Sequence, residues 1–395
     1  MPILPIAAFV LLFNFYFGFH GFLLFKSLKW KFALQLPEFL AQIPNWVYWA
    51  VFIAIAAIYA GIGFARGLGS LFRLANAYWG IFVFIPLLMV LDLVYLFRFL
   101  ARVIIMRFNV PLVSPFWGQS FTLIAHLIVI VIVIFVTAFG SWRARTPVLT
   151  EYQIATEKPI PNGKMEILLV SDLHVGALIK KERFDKMVTK LNDLDGDMVL
   201  IAGDILDRGL ELWESENLGE GFGRLHARYG VWAVPGNHDY YGGFIRELRE
   251  NLAAFGVKLL EDEVDHYDFS QPGFIVVGRR DRMAGRESEY RKPLDDLVAG
   301  VDKSRFLILL DHQPVFLTEA EKAGFDLQVS GHTHHGQIWP ASLITGHLFE
   351  NDYGLSFRGK SAFVVTSGYG TWGPSLRIGT KSEIVRITVT GENSR

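Results

Sequence analysis

Four runs of apolar residues, roughly 3–25, 46–64, 78–97 and 121–139, constrain this chain more than any other feature. A helix rising 1.5 Å per residue needs about 20 residues to cross about 30 Å of hydrocarbon, and in lipid only helices or closed barrels satisfy every backbone N–H and C=O. The expectation is a multi-pass anchor of four transmembrane helices over residues 1–140. A cleaved signal peptide is the alternative for the first run. That run, however, lacks a basic segment ahead of it and is followed by further apolar runs. Trp30, Trp46, Trp49, Trp79, Trp117 and Trp142 lie near the expected span ends, where an interfacial aromatic belt belongs. Residues 98–120, carrying Arg102 and Arg107, suit an interfacial segment before the fourth span.

Charge divides the chain at the same place. Residues 1–150 hold ten Lys/Arg against Glu38 and Asp92, a balance of +8, whereas the remainder holds 28 against 37, a balance of −9. An acidic second half excludes a nucleic-acid partner, because phosphate-backbone affinity needs a basic footprint. The chain has no cysteine, so disulfides and thiolate ligands are excluded, and any metal must be held by carboxylate, imidazole, amide or water. Within the spans, Asp92 is either a functional carboxylate or a structural partner of Arg98, and His20, His126 and Asn14 suit helix–helix hydrogen bonds. Loop charges lean six to four toward an extracytoplasmic catalytic domain at the cell membrane: Lys26, Lys29, Lys31, Arg98, Arg102 and Arg107 oppose Arg66, Arg73, Arg143 and Arg145.

After a linker at 141–146 the pattern becomes short apolar runs separated by amphipathic stretches, which predicts an α/β sandwich. Strands are expected at 148–154, 165–170, 198–202, 231–234, 274–277, 306–310, 327–329, 363–366 and 384–389, with helices at 181–194, 212–229, 244–255 and 315–323. Polar motifs begin where buried strands end, which is where layered α/β folds bind ligands. They are Asp172-Leu173-His174, Gly203-Asp204-Ile205-Leu206-Asp207-Arg208-Gly209, Gly236-Asn237-His238-Asp239, Asp311-His312 and Gly331-His332-Thr333-His334. A single histidine after a strand is more often structural than a ligand. Five such loops together would be costly to desolvate without a shared partner, and a pair of cations supplies one. In Asp172-x-His174 and His332-x-His334, alternate residues of an extended segment reach one site.

These five blocks, in this order, resemble the calcineurin-like metallophosphoesterase superfamily over about residues 148–390. The resemblance implies an α/β metallophosphoesterase sandwich of αββα layers over 165–395, preceded by the linker and first strand at 141–164. The closing stretch Thr366–Pro374, with Arg377 and Glu383, resembles a membrane-associated bacterial branch in which lipid-linked substrates such as a diacylated UDP-sugar pyrophosphate are known. Carried over position by position, Asp172, His174 and His334 would bind one metal, Asn237, His312 and His332 the other, and Asp204 both. The ions implied are two divalent cations, with Mn²⁺ expected and Fe²⁺ or Zn²⁺ as alternatives. Such a pair activates a water, neutralises phosphoryl oxygens and aligns direct in-line attack. His238 would then be a general acid oriented by Asp207, and Arg208 either a phosphate contact or the partner of a carboxylate.

His335 stands where a glycine often follows, as a substrate contact or a surface residue. Arg279, Arg280, Arg282 and Arg286 form a basic cluster that either grips an anionic head group or lipid, or lines a solvated loop. The leading expectation is a hydrolase of a phosphoester or pyrophosphate bond in a membrane- or lipid-linked substrate, with the lipid bilayer as partner. A tethered phosphodiesterase or phosphatase for soluble substrates is the second. A non-catalytic metal-binding sensor or scaffold is the third, disfavoured because no ligand position is lost.

Overall fold

The computed structural model describes residues 15–16, 18–28, 44–53, 87–104, 107, 119–176, 179–207, 209–241, 243–269, 272–287, 290–373 and 375–391. The chain divides into two compact units, Met1–Phe139 and Gly140–Arg395.

In the first unit, residues 18–28, 45–53 and 87–104 are helical, and the helix Gln119–Arg145 begins there. Among the described residues, one helix, Ser120–Arg145, is long and apolar enough to cross a membrane. Its Leu127, Ile128, Val131, Ile134 and Phe135 are exposed, unlike those of a soluble core helix. Much of the other three expected spans, Asn14, and Trp30, Trp79 and Trp117 lie outside the described residues. The partners of Asp92 are Tyr16, whose hydroxyl donates to Oδ2 at 2.5 Å, and His20, whose Nε2 is 3.2 Å from Oδ1. His20 Nδ1 is in turn 3.5 Å from His126 Nε2, the helix–helix polar contact expected of these histidines. The Arg98 guanidinium, the partner expected for Asp92, lies 4.0 Å over the Phe121 ring.

The second unit begins inside the helix. Residues 141–145, expected to be linker, are instead its last turn, and only Thr146 and Pro147 separate it from β1 (Val148–Thr156). Arg143 and Arg145 complement the carboxyl end of the helix dipole, which favours continuing the helix this far.

Among the described residues, twelve strands form two six-stranded sheets. The first runs β1, β12 (Glu383–Gly391), β2 (Lys164–Val170), β3 (Met198–Ala202), β4 (Gly230–Val234), β5 (Val257–Leu259). β2 to β5 are parallel, while β12 is antiparallel to β2 and parallel to β1. The second sheet runs β10 (Gly354–Arg358), β11 (Ser361–Val365), β9 (Leu327–Ser330), β8 (Phe306–Leu310), β7 (Phe274–Gly278), β6 (Glu263–Tyr267).

Strand alternation builds the layers. Ile167, Leu169, Leu200 and Trp232 of the first sheet meet Phe274, Ile308, Val329 and Val364 of the second in one core. Leu168, Val170, Val199 and Ile201 face the other way, onto Phe184, Met187, Phe222 and Leu248 of the covering helices. Ile275, Leu307 and Leu309 pack likewise under Leu297, Leu317 and Ala320. The result is helix, sheet, sheet, helix. Burying each such Leu, Ile or Phe is worth about 1.5–3 kcal/mol, so a carboxylate at Ile167 would break the inter-sheet core.

The helix expected over 212–229 is two short ones, Glu211–Ser215 and Leu218–Gly223, parted at Asn217 with φ +51°. β5, β6 and β10 were not anticipated. β5 has only three residues, and β6 and β10 are sheet edges, β6 carrying Glu263 and Asp265, where strands show little apolar alternation.

Candidate metal centre

Each polar loop leaves the carboxyl end of a strand and is tied to its neighbour by the backbone. After β2, the N–H of Asp172 donates to Gly203 O at 2.9 Å and that of His174 to Asp204 O at 2.9 Å, so the first loop lies on the one after β3. After β4, Gly236 passes so close to Asp204 that a Cβ would lie 2.1 Å from Oδ1. Only glycine fits there. The helix Asn237–Tyr241 follows at once, and the N–H of His238 donates to Asp204 Oδ1 at 2.9 Å. His312 follows β8 by one residue, and after β9 the N–H of His332 donates to both carboxylate oxygens of Asp172 at 3.1 Å. Asp172, His174, Asp204, His332 and His334 all have positive φ, between +46° and +70°. Each of these non-glycine conformations costs on the order of 1 kcal/mol, strain of the kind concentrated at functional sites.

The side chains form two groups sharing Asp204. On one side His334 Nε2 is 3.3 Å from Asp172 Oδ1 and 3.3 Å from His174 Nε2, which lies 3.6 Å from Asp204 Oδ2. On the other, His312 Nε2 is 3.4 Å from Asp204 Oδ2 and 3.3 Å from Asn237 Oδ1, with the His332 ring 5.1 Å from that of His312. Asp172, His174, Asp204, Asn237, His312 and His334 are buried, while His238 and His332 keep partial exposure.

The donor chemistry of this arrangement suits cations. His312 Nδ1 lies 2.7 Å from Ala202 O, so in the neutral imidazole the proton sits on Nδ1 and the Nε2 lone pair faces two oxygens. Three acceptors converging in a buried space repel one another unless a cation joins them. Asp172 Oδ1, His174 Nε2 and His334 Nε2 pose the same problem in the other group, and each of the triads Asp172/His174/His334, His174/Asp204/His238 and Asp172/Asp204/His312 brings its ligand atoms within 4.8 Å of one another.

Without cations, the charges distribute unevenly. Burial pushes the Asp172 carboxyl up, and burial followed by the neighbouring imidazoles pushes His332 down to about 3 and His334 well below its usual range. Burial also opposes charge on Asp204 and on His312, but their mutual attraction wins, holding Asp204 well below and His312 well above their usual values. His312 thus carries a proton that a cation has to displace.

The Asp207 carboxylate stands between two imidazoles, with Oδ1 3.2 Å from His238 Nδ1 and 3.5 Å from His174 Nδ1. Burial raises its carboxyl, but the His174 and His238 imidazoles beside it more than reverse that and hold it far below the ordinary range. Arg208 lies outside the described residues. His335 pairs with Asp352 at 3.1 Å against the Tyr353 ring, a structural role and not an open contact. The arginine cluster is not one surface. Arg279 is buried and paired with Asp311 at 3.6 Å, Arg280 Nε is 3.7 Å from Glu261, and Arg282 lies over Phe316, while the Arg286 side chain is outside the described residues.

Two supports lie within the sequence motifs, but no role was expected of them. Asp239, buried and pushed up to about 6 by burial and the charge of Asp204, accepts from the N–H groups of Ile205, Leu206 and Gly236 and clamps two site loops together. Arg377 is wholly buried and donates to Ser367 O, Gly368 O and Gly370 O at 2.5, 3.1 and 2.7 Å. Its presence in the closing motif was the only signal. The segment it holds reaches the site, since Gly370 N–H donates to Asp172 O at 2.8 Å.

The sequence profile of the family described as "Calcineurin-like phosphoesterase" matches residues 165–336, the span containing every residue of both groups. The chain is 33% identical over 232 residues to an uncharacterized metallophosphoesterase of Helicobacter pylori strain J99, covering 58% of this chain and 61% of that one. It therefore spans about three-fifths of that relative's length. It is 28% identical over 257 residues to a Danio rerio protein named transmembrane protein with metallophosphoesterase domain, covering 62% of this chain and 58% of that one. An uncharacterized metallophosphoesterase of Campylobacter jejuni is 31% identical over 280 residues, covering 69% of this chain and 73% of the relative. Likeness of that extent, over loops whose side chains could hold metal ions, is family membership: the chain belongs to the calcineurin-like metallophosphoesterases.

Proposed function

We propose that this chain is a multi-pass protein of the cell membrane that hydrolyses a phosphoester or pyrophosphate bond in a membrane-derived or lipid-linked substrate. The observation that carries this reading is the join between the two halves: a 27-residue apolar helix leads, after two residues, into β1 of the sheet whose loops build the metal centre. So short a join supports a site held near a bilayer surface. The loop charges favour the extracytoplasmic face, which protease protection in intact vesicles tests.

Asp172, His174 and His334 would hold one cation, Asn237, His312 and His332 a second, with Asp204 between them. Mn²⁺ is the first choice for this oxygen and imidazole set, with Fe²⁺ and Zn²⁺ as alternatives. When bound, the cations supply an acidified water, charge neutralisation at the phosphoryl oxygens and in-line alignment. Asp207 fixes His238 through Nδ1 and frees Nε2 to protonate the leaving oxygen. Arg208 is assigned to a phosphate oxygen.

The test has two parts. Asp204→Ala and His238→Ala should each abolish turnover, and only the first should strip metal from the purified full chain. Equal metal loss in both would make His238 a ligand, which the fit of His174, Asp204 and His238 atoms within 4.8 Å also permits. For the substrate, the Mn²⁺-loaded chain is incubated with total lipid extract and UDP-linked lipid precursors, and the phosphorylated species that disappears is identified. Turnover of soluble esters alone, unchanged on deleting residues 1–145, would overturn the lipid reading.

A further inference from the structure

The segment after the last metal-site loop is unusually apolar and faces outward. Residues 337–349 hold no Lys, Arg, Asp or Glu, and the helix Ala341–Leu348 buries none of its residues. Leu343, Ile344 and Leu348 are 68%, 61% and 70% exposed, Trp339 just before them 60%, and Trp372 46%. Ile344 and Leu348 are an i, i+4 pair and so share one side of the helix, with Leu343 next to Ile344. The helix is firmly mounted. Gly336 passes so close to its first turn that a Cβ would lie 2.2 Å from Ser342 N, Thr345 Oγ1 donates to Asp352 Oδ2 at 2.7 Å, and Gln337 exchanges hydrogen bonds with the Trp372 backbone at 2.8 and 2.9 Å. A rigid apolar face left open to water needs an occupant.

Its position names one. Trp339 N–H donates to Ile378 O at 2.8 Å, and the neighbouring Arg377 N–H donates to Gly140 O at 3.0 Å, in the last turns of the membrane-length helix. Gly140 also lies against Ile378. The apolar face is therefore two backbone hydrogen bonds from the point where that helix ends, beside exposed Trp142 and the basic pair Arg143 and Arg145. Tryptophans, an apolar helix face and cations near the end of a membrane-length helix are the residue types found at the head-group boundary of a bilayer. At its other end the segment reaches the metal centre, where the Phe349 ring is 5.9 Å from that of His332.

We propose that the Ala341–Leu348 helix, with Trp339 and Trp372, beds into the bilayer surface and holds the adjoining metal-site loop at the level of the lipid head groups. This deepens the lipid-substrate reading and rests on it for its catalytic consequence. A bedded helix brings the phosphates of membrane-borne molecules to the site and leaves soluble esters to arrive from water.

The chain has no cysteine, so Leu343→Cys or Leu348→Cys provides one labelling position for an environment-sensitive fluorophore. In the full chain reconstituted into phosphatidylcholine/phosphatidylglycerol vesicles, labels at 343 and 348 should shift to the blue and be quenched by lipids carrying a nitroxide high on the acyl chain. A label at the exposed Lys190→Cys should do neither. Labels at 343 and 348 that behave like the one at 190, or shielding that follows protein concentration instead of lipid, would overturn the proposal, the second outcome pointing to another copy of the chain. In the triple variant Leu343→Ser/Ile344→Ser/Leu348→Ser, turnover of vesicle-borne phospholipid substrate should fall at least tenfold relative to bis(p-nitrophenyl) phosphate. Equal effects on both substrates also overturn it. A wild-type chain that hydrolyses neither substrate while its labels bed in lipid would sink the hydrolase reading and leave the docking surface standing.

Discussion

Arg377 offers the sharpest test of how the metal centre is supported. Its guanidinium is fully buried, and burial lowers its pKa to about 10, so it remains charged at neutral pH. It donates to three carbonyl oxygens of residues 367–370, with His334 O at 3.5 Å as a fourth neighbour. Arg377→Met keeps most of the length and removes every donor. Gly368 O also accepts from Glu383 N–H at 3.2 Å, so the orphaned acceptors are chiefly those of Ser367 and Gly370. At about 1–3 kcal/mol per unsatisfied buried group, and with relief from no longer burying a charge, the net loss is about 2–4 kcal/mol. For a unit of this size that is about 5–15 °C in melting temperature. The same segment seats the first site loop through Tyr369 N–H to Ser171 O at 2.9 Å and Gly370 N–H to Asp172 O at 2.8 Å. Mn²⁺ affinity should therefore fall about 10–100-fold, as it does when partners behind metal ligands are lost. Thermal unfolding of the full chain at limiting and saturating Mn²⁺, with a direct metal titration, measures both effects. A melting point within about 2 °C of wild type refutes the energetics, and a lowered melting point with unchanged metal affinity refutes the link to the site.

Three further outcomes are expected. Gly236→Ala places a methyl 2.1 Å from Asp204 Oδ1, and the displaced carboxylate should cost at least about 100-fold in kcat with weakened metal binding, read by steady-state kinetics and metal analysis. Asp207→Asn weakens the hold on both His174 and His238, so metal affinity should fall about 10–100-fold and kcat about 10²–10⁴-fold; retained affinity would show that His174 does not depend on Asp207. Burial alone would raise the Glu383 carboxyl, but hydrogen bonds from Thr150, Ser367 and Thr366 and the charge of Lys381 lower it below its ordinary 4.5. Its stabilisation is thus complete above the unfolded value and lost as pH falls through the folded one, so the acid-side fall in melting temperature should be shallower in Glu383→Gln than in wild type.

The central strands were legible because a strand buried on both faces reads as a continuous apolar run, and β2, β3, β8 and β9 were all anticipated within one residue. The edge strands β5, β6 and β10 and the broken helix after Leu210 were not, because their conformation depends on what they pack against. The seven residues expected to hold metal and the His238–Asp207 pair come from five short motifs, and the structure brings these nine residues together in one cluster.

By itself, the sequence determined which residue types sit at strand ends, and hence the family and the kind of chemistry, because metal coordination restricts side-chain identity at each position. Only the tertiary structure decided their support and surroundings. Asp239 clamps two loops, Arg377 carries a third, Arg279 turns inward to Asp311, and the 339–348 segment keeps its apolar face outward. Burial and hydrogen-bond pairing are properties of contacts between residues far apart in the chain, whereas a ligand's identity is a property of the residue itself.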